Sequence, residues 1–268
     1  MSRINPNLID VQHAPSGYLG PGDKTFGAEF KAEWLIPRSE WRDRIEARKK
    51  AGVSLKRYNL KINNQNPESS CVCNAAETAI RIIWTQQLGV KWSIDLSPMD
   101  LYARICSSRH SGSYMMDALN ESKENGMLPE DTPKNRKIFR HVFHQNTPWV
   151  RKSQLPQGAE ITRRHFRPLE WYRLPSDRDA FGSAVLNDWP IVYGRDRHSI
   201  CAVELDWEED LKKFLVEYAQ SYGTETGDRG YQYDSERNWE TDGAWCLRAS
   251  TVPDDPAKPA GADGLIQE

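Results

Sequence analysis

The sequence predicts an α+β fold. Two observations carry this: capped runs with helical periodicity fill the first half, and short apolar or alternating runs between Gly, Asp and Asn clusters fill the second. A fold of that kind sets its functional site in the cleft between the helical and the β part.

Residues 1–33 are rich in Gly, Pro, Asn and charge without periodicity, and read as an irregular arm. A domain is expected over 34–251, with a helical lobe at about 65–135 and a β lobe at about 160–251. Arg42, Arg44, Arg48, Lys49 and Lys50 mark the solvated face of a short helix. The strongest helix runs from Cys71 to about Leu88. Val72, Ala76, Ala79 and Ile83 form one face, Ala75 and Ile80 widen it, Ser69 or Ser70 caps its start and Gly89 ends it. Ser97-Pro98-Met99-Asp100 starts a second helix, with an N-cap, a proline in the first turn and an acid reaching back. A third spans Tyr114 to Asn125 and stops at Gly126; a fourth spans Asp177 to about Asn187. Strands are predicted at 191–193, 199–205, 213–218 and 244–248. The stretch 252–268 is Pro/Ala/Gly/Asp-rich and reads as a flexible tail.

Composition excludes several classes. With 268 residues, 36 Lys+Arg and 38 Asp+Glu, the net charge is −2, without the basic surplus of a nucleic-acid binder. No run approaches the ~18 apolar residues of a membrane helix. The first residues lack the apolar core of a secretory signal, and five cysteines are odd in number and sparse. Free thiols in a reducing, cytoplasmic compartment are the expectation. Cys73 lies about 200° around the helix from Cys71. No paired Cys-x-x-Cys or His-x-x-x-His spacing occurs, so neither a metal nor another cofactor is expected.

Three segments carry chemistry. Residues 65–71 form a loop that delivers the thiol of Cys71 to the first turn of the strongest helix. Unpaired backbone N–H groups and the helix dipole there favour a thiolate. Gln65, six residues upstream, can aim its amide at the oxygen that turns negative when a carbonyl is attacked. Residues 194–200 form a polar turn entering a strand, which holds His198 at a cleft wall as a proton-transfer partner. Gln220, after the next strand, can fix the imidazole tautomer. Singly, each has an ordinary reading: a packed thiol, a satisfied strand histidine, a loop amide. Cys201 points to the opposite strand face from His198 and reads as core. His110, His141, His144 and His165 have no acid or thiol context.

Order and spacing separate the three from those readings. His198 follows Cys71 by 127 residues and Gln220 follows it by 149; papain-like enzymes place these partners about 130–150 residues downstream. The segment from Gln65 to Ser70-Cys71 resembles the Gln-Gly-x-Cys-Gly-Ser-Cys motif of papain-family cysteine peptidases. Ile36-Pro37-Arg38-Ser39-Glu40-Trp41-Arg42 is similar to the Pro-x-x-x-Asp-Trp-Arg start of their mature chains. Gly112-Ser113-Tyr114 through Leu119, followed by Gly126-Met127, resembles their glycine-rich substrate loop and its helix. Gln220-Ser221-Tyr222-Gly223-Thr224, with Gly227, Gly230 and Tyr231, resembles the Asn-Ser-Trp-Gly-x-x-Trp-Gly-x-x-Gly-Tyr signature. In style the chain is closest to bacterial and bacteriophage members, since the 35 residues before Ile36 are too few for the long inhibitory prosegment.

The resemblance implies a papain-like fold with an N-terminal helical lobe, a C-terminal antiparallel β lobe and a cleft between. It implies a thiol peptidase acting on protein or peptide, with Cys71 as nucleophile, His198 as general acid/base, Gln65 as oxyanion donor and Gln220 as orienter. Gly112, Ser113 and Tyr114 would line the substrate wall. Departures are Gln220 for the orienting Asn, Tyr222 and Thr226 for two tryptophans, and Glu68 where secreted members carry a disulfide cysteine. The missing tryptophans predict a weaker apolar cover over the imidazole. Asn238-Trp239 is a rival orienter without the following glycine. Two other readings remain open: a papain-fold structural or binding component, for instance of a phage particle with a virion or host-protein partner, and a cell-wall amidase or hydrolase.

Overall fold

A computed structural model of the chain describes residues 4–13, 17–23, 25–65, 67–143, 151–239 and 243–250. The expected tail at 252–268 and His144 lie outside the described residues.

In chain order the elements are β1 (Ala28–Glu29), α1 (Trp41–Ala51), α2 (Cys71–Leu88), α3 (Pro98–Ile105), α4 (Met115–Asn125), the single turns α5 (Pro133–Arg136) and α6 (Glu160–Arg163), β2 (Trp171–Arg173) and α7 (Arg178–Leu186). β3 (Ile191–Arg195), β4 (His198–Glu208), β5 (Lys213–Ala219), β6 (Tyr231–Ser235) and β7 (Ala244–Leu247) follow. The strands join one sheet of order β1-β2-β7-β3-β4-β5-β6, antiparallel except for the β1/β2 pair. The expected α+β class holds. β1, β2 and β6 are additional to the strands read from periodicity.

The helix boundaries follow their signals. α2 has Ser70 at its N-cap position and Gly89, at φ +89°, at its end. The Ser70 hydroxyl does not cap the backbone; it accepts from Asn74 Nδ2 at 3.0 Å. Ser97 caps α3 by accepting from the Asp100 backbone N–H. Asp100 itself does not reach back to the cap. Its buried carboxylate takes Arg163 Nη2 at 2.7 Å and the Leu128 N–H at 3.1 Å, tying α3 to the α6 turn and to the chain after α4. α1 buries only Trp41 and Ile45, one turn apart. Lys49 and Lys50 of its basic last turn face outward as expected and suit the negative end of the helix dipole. Arg48, expected on the same solvated face, instead turns inward to Asp188 Oδ1 at 2.6 Å and to Glu204.

Alternation along the strands splits the apolar residues between two cores. Val192, Cys201 and Val203 face α2, α3 and α4 on one side of the sheet. Ile191, Tyr193, Ile200 and Ala202 face α1 and α7 on the other. All of residues 71–85 in α2 are buried, so even its polar positions must find partners inside. Arg81 Nε meets Glu77 Oε1 at 2.7 Å, Arg81 Nη2 donates to Lys61 O at 2.8 Å, and Asn63 Nδ2 donates to Glu77 Oε2 at 2.6 Å. Both charged side chains have no exposed surface. Arg81→Met strands the Glu77 carboxylate and should cost about 3–5 kcal/mol, lowering Tm by roughly 10 °C. Adding Glu77→Gln should recover part of the loss in calorimetry. A single-variant loss below about 1 kcal/mol would remove the ion pair from any part in holding α2.

Candidate active site

His198 opens β4, directly after a two-residue turn. Asp196 and Arg197 both take left-handed φ, at +50° and +61°, as a tight hairpin following the right-handed strand twist requires. Arg195 pairs with His198 across this hairpin. Arg195 in turn ion-pairs with buried Asp234, which also accepts from the Tyr193 hydroxyl at 2.8 Å. The imidazole has no exposed surface. Its ring stacks on Tyr222, with centroids 4.9 Å apart and planes 15° apart. The cover expected to weaken with loss of the tryptophan is thus present as a stacked phenol.

Tyr222 belongs to the turn that carries Gln220. That amide binds its own loop: Oε1 accepts from the Tyr222 N–H at 2.6 Å and Nε2 donates to Gly223 O at 3.1 Å. One methylene longer than Asn, the side chain folds back over its own turn. Tyr222 bridges Asn64 in antiparallel fashion, the Gln65 N–H donates to Ser221 O at 2.8 Å, and the Gly223 N–H donates to Asn63 O at 2.9 Å. This pairing places Gln65 beside the segment stacked on His198. Gln65 is nearly buried; its Oε1 accepts from Ser221 Oγ, and its Nε2 donates to Glu68 O at 3.0 Å. Asn238 lies elsewhere, bound to Asp10 and Asp234.

Cys71 is the first residue of α2 and has no exposed surface. The other four thiols are held protonated by burial: Cys73 well above the ordinary thiol range, Cys106 pushed up to about 11, and Cys201 and Cys246 higher still. They serve as packing, as the strand-face reading of Cys201 expected. Among the described residues no group of three His, Cys, Asp or Glu side chains is placed to hold a metal ion, and no helix is long and apolar enough to cross a membrane.

The N-terminal arm is more ordered than its composition suggests. Ile9 bridges Tyr233 on the outer edge of β6, and Asp10 accepts from the Ser235 N–H at 2.8 Å. His13 donates to or accepts from the Tyr218 hydroxyl at 2.9 Å, and its ring lies 4.9 Å from that of His198. Gly17 presses on Ser69: with φ at +101°, a Cβ there would fall under 3.0 Å from the Ser69 carbonyl oxygen. The Tyr18 N–H donates to Arg197 O at 3.3 Å, and its ring fills the space a Gly194 Cβ would need. On the opposite wall the Ser113 N–H donates to Gly17 O at 2.8 Å and the Leu19 N–H to Ser113 O at 3.1 Å, a parallel bridge. The Met115 N–H donates to Gly20 O at 3.0 Å. Gly112 and Ser113 are therefore covered by the arm, while Tyr114 stays exposed at the rim.

Two adjacent arm residues thus touch the segment before Cys71 and the segment before His198. His13 and Tyr18 were not singled out in the sequence. The available signal was the glycine pair flanking Tyr18-Leu19, which permits a close approach of backbones.

Neither a protein-family model nor a curated protein sequence matches the chain. Among solved structures it is similar to xylellain, a cysteine protease from Xylella fastidiosa, with a TM-score of 0.62 at 15% identity over 89% of this chain and 97% of that one. It is also similar to procathepsin B S9 from Trypanosoma congolense, with a TM-score of 0.55 at 12% identity, covering 85% and 87% of the two chains. Bromelain from Ananas comosus, in complex with the E64 inhibitor, gives a TM-score of 0.53 at 14% identity, covering 75% and 98%. With helices packed on both faces of one sheet, the fold of this chain is that of the papain-like cysteine proteases.

Proposed function

We propose that the chain is a cysteine peptidase in which Cys71 is the nucleophile and His198 its proton partner, held closed here by its own N-terminal arm. The observation that carries this reading is the juxtaposition at Gly17-Tyr18: two adjacent residues touch Ser69, Ser113 and Arg197 at once. Backbone pairing with Ser113, as Tyr18 makes here, suits a peptide. His198 takes the proton of Cys71, and the thiolate attacks a peptide carbonyl. Gln65 Nε2 and the Cys71 backbone N–H stabilise the tetrahedral oxyanion. His198 protonates the departing amine, leaving a thioester that water, deprotonated by His198, hydrolyses to free acid and thiol. Tyr222 sets the plane of the imidazole from one face, and Gln220 fixes the turn that carries Tyr222.

The test is alkylation of Cys71 by iodoacetamide, site-assigned by mass spectrometry, alongside hydrolysis of a denatured protein substrate. Gly17→Val places a branched side chain against Ser69 and should lift the arm at a cost of about 1–3 kcal/mol, raising both rates about 10- to 100-fold. His198→Ala should remove the fast labelling below about pH 8, and Cys71→Ser should abolish hydrolysis. Labelling of Cys71 that follows an ordinary thiol curve and ignores His198 would overturn the reading. So would hydrolysis of a peptidoglycan preparation with none of protein.

Acid should loosen the arm. Docked His13 titrates near 4, lowered first by burial and then by the Arg195 charge, whereas a free imidazole titrates near 6.5. Docking binds the neutral form, so its contribution is complete above about pH 6.5 and is lost as pH falls from about 6.5 to about 4. Amide exchange at Tyr18 and Leu19, corrected for intrinsic rates, should speed up over that window in the wild type and lose part of this dependence in His13→Phe, the remainder coming from His198, which burial also holds neutral beneath the arm. Flat protection across the window in the wild type would show that His13 does not latch the arm.

A further inference from the structure

Glu68 is nearly buried three residues before Cys71, and its carboxylate meets Arg109 Nε at 2.8 Å. Arg109 lies in the loop that leads from α3 to Gly112-Ser113. Backbone ties the same loops together: the Ser69 N–H, next to Glu68, donates to Arg109 O at 3.5 Å, and Glu68 O takes Gln65 Nε2 at 3.0 Å. Behind them the Tyr102 hydroxyl sits 2.9 Å from Arg109 O and 2.7 Å from Ser111 O, fixing the loop to α3.

Resting on the peptidase reading above, we propose that the Glu68–Arg109 ion pair positions the nucleophile. It clamps the 65–71 loop to the substrate wall and cancels the negative charge beside the Cys71 thiol. The two residues are positioning residues; neither touches the reacting atoms. An unpaired carboxylate at Glu68 would oppose ionisation of a thiol three residues on in the chain. Its charge is felt nearby, since it is one of the causes that hold the Tyr102 phenol above its usual range, behind burial and the adjacent thiols. Arg109 is half-exposed, so the pair contributes little as a surface salt bridge; what it supplies is local charge balance and a fixed loop.

The other ionisable groups around this loop are Cys73 on α2, Tyr102 and Cys106 from the α3 side, and His198 with His13 on the β side. Asp100 and Arg104 of α3 are paired with each other. None of these changes in the variants below.

The experiment is the pH profile of Cys71 alkylation in the full chain from about pH 5 to 10, comparing wild type, Arg109→Gln, Glu68→Gln and the double variant, with Tm recorded for each. The arm enters every profile alike, so differences between profiles report the thiol. Arg109→Gln should move the midpoint up by about 0.5 to 1 pH unit. Glu68→Gln should not move it up, and the double variant should return it to within a few tenths of a unit of wild type. A purely structural pair would lower Tm and labelling in both single variants without opposite midpoint behaviour, and that result overturns the proposal. So does a midpoint that stays put in Arg109→Gln while wild type retains its depressed, His198-dependent profile. A wild type without such a profile fails the peptidase reading itself, which separates the two failures.

Discussion

Everything at the site depends on a helix that has almost no outside. α2 is buried on every face through residues 71–85, between the sheet on one side and α3 with α4 on the other. An element so placed cannot roll or slide without opening the core, so its first residue is fixed in space as firmly as the interior is packed. The cost of that placement appears at Glu77 and Arg81, which cannot reach water and neutralise each other within the helix. Arg81 Nη2 also binds Lys61 O, and Glu77 Oε2 takes Asn63, residues of the segment that carries Gln65. The ion pair therefore does more than satisfy two charges: it fastens the segment of the candidate oxyanion donor to the helix of the candidate nucleophile.

Much of the helical half was legible because its boundaries are chemical. Ser97, Asp177, Gly89 and Gly126 mark ends through cap bonds or positive φ, and those marks are local in sequence. β1 and β2, with two and three residues, are too short for alternation to register. β6 lies inside a Gly-rich stretch whose turn residues mask it. Cys71, His198 and Gln65 were legible as candidates from order and spacing. What binds them into one site was not, because Asn64 to Tyr222 and Gly17 to Ser69 are pairings between distant loops. The arm shows the limit clearly. It has no periodicity since its order comes from the walls it lies against, and no local signal marks His13 as the neighbour of His198.

Tyr222 and Gln220 exchange importance relative to expectation. The amide at Gln220 was expected to hold the imidazole, yet its hydrogen bonds close its own turn. The phenol at Tyr222, read as a loss of cover, lies flat on the ring. A turn tightened by Gln220 and anchored to Asn63 and Asn64 presents Tyr222 in one orientation. Stacking on Tyr222 is thus one constraint on the plane of the histidine.

The closed arrangement also works against the charge state that a thiol–imidazole pair needs. Burial holds His198 well below the ordinary histidine range, and the neighbouring His13 adds to the same effect. A neutral imidazole suits the closed cleft, where an imidazolium would be desolvated beneath the arm. Movement of the arm away from Ser69 and Arg197 would remove both causes at once, letting water in and taking His13 out. On the peptidase reading proposed above, an opening that admitted a peptide would be the same event that lets His198 hold a proton, and access and activation of the thiol would be coupled through the arm.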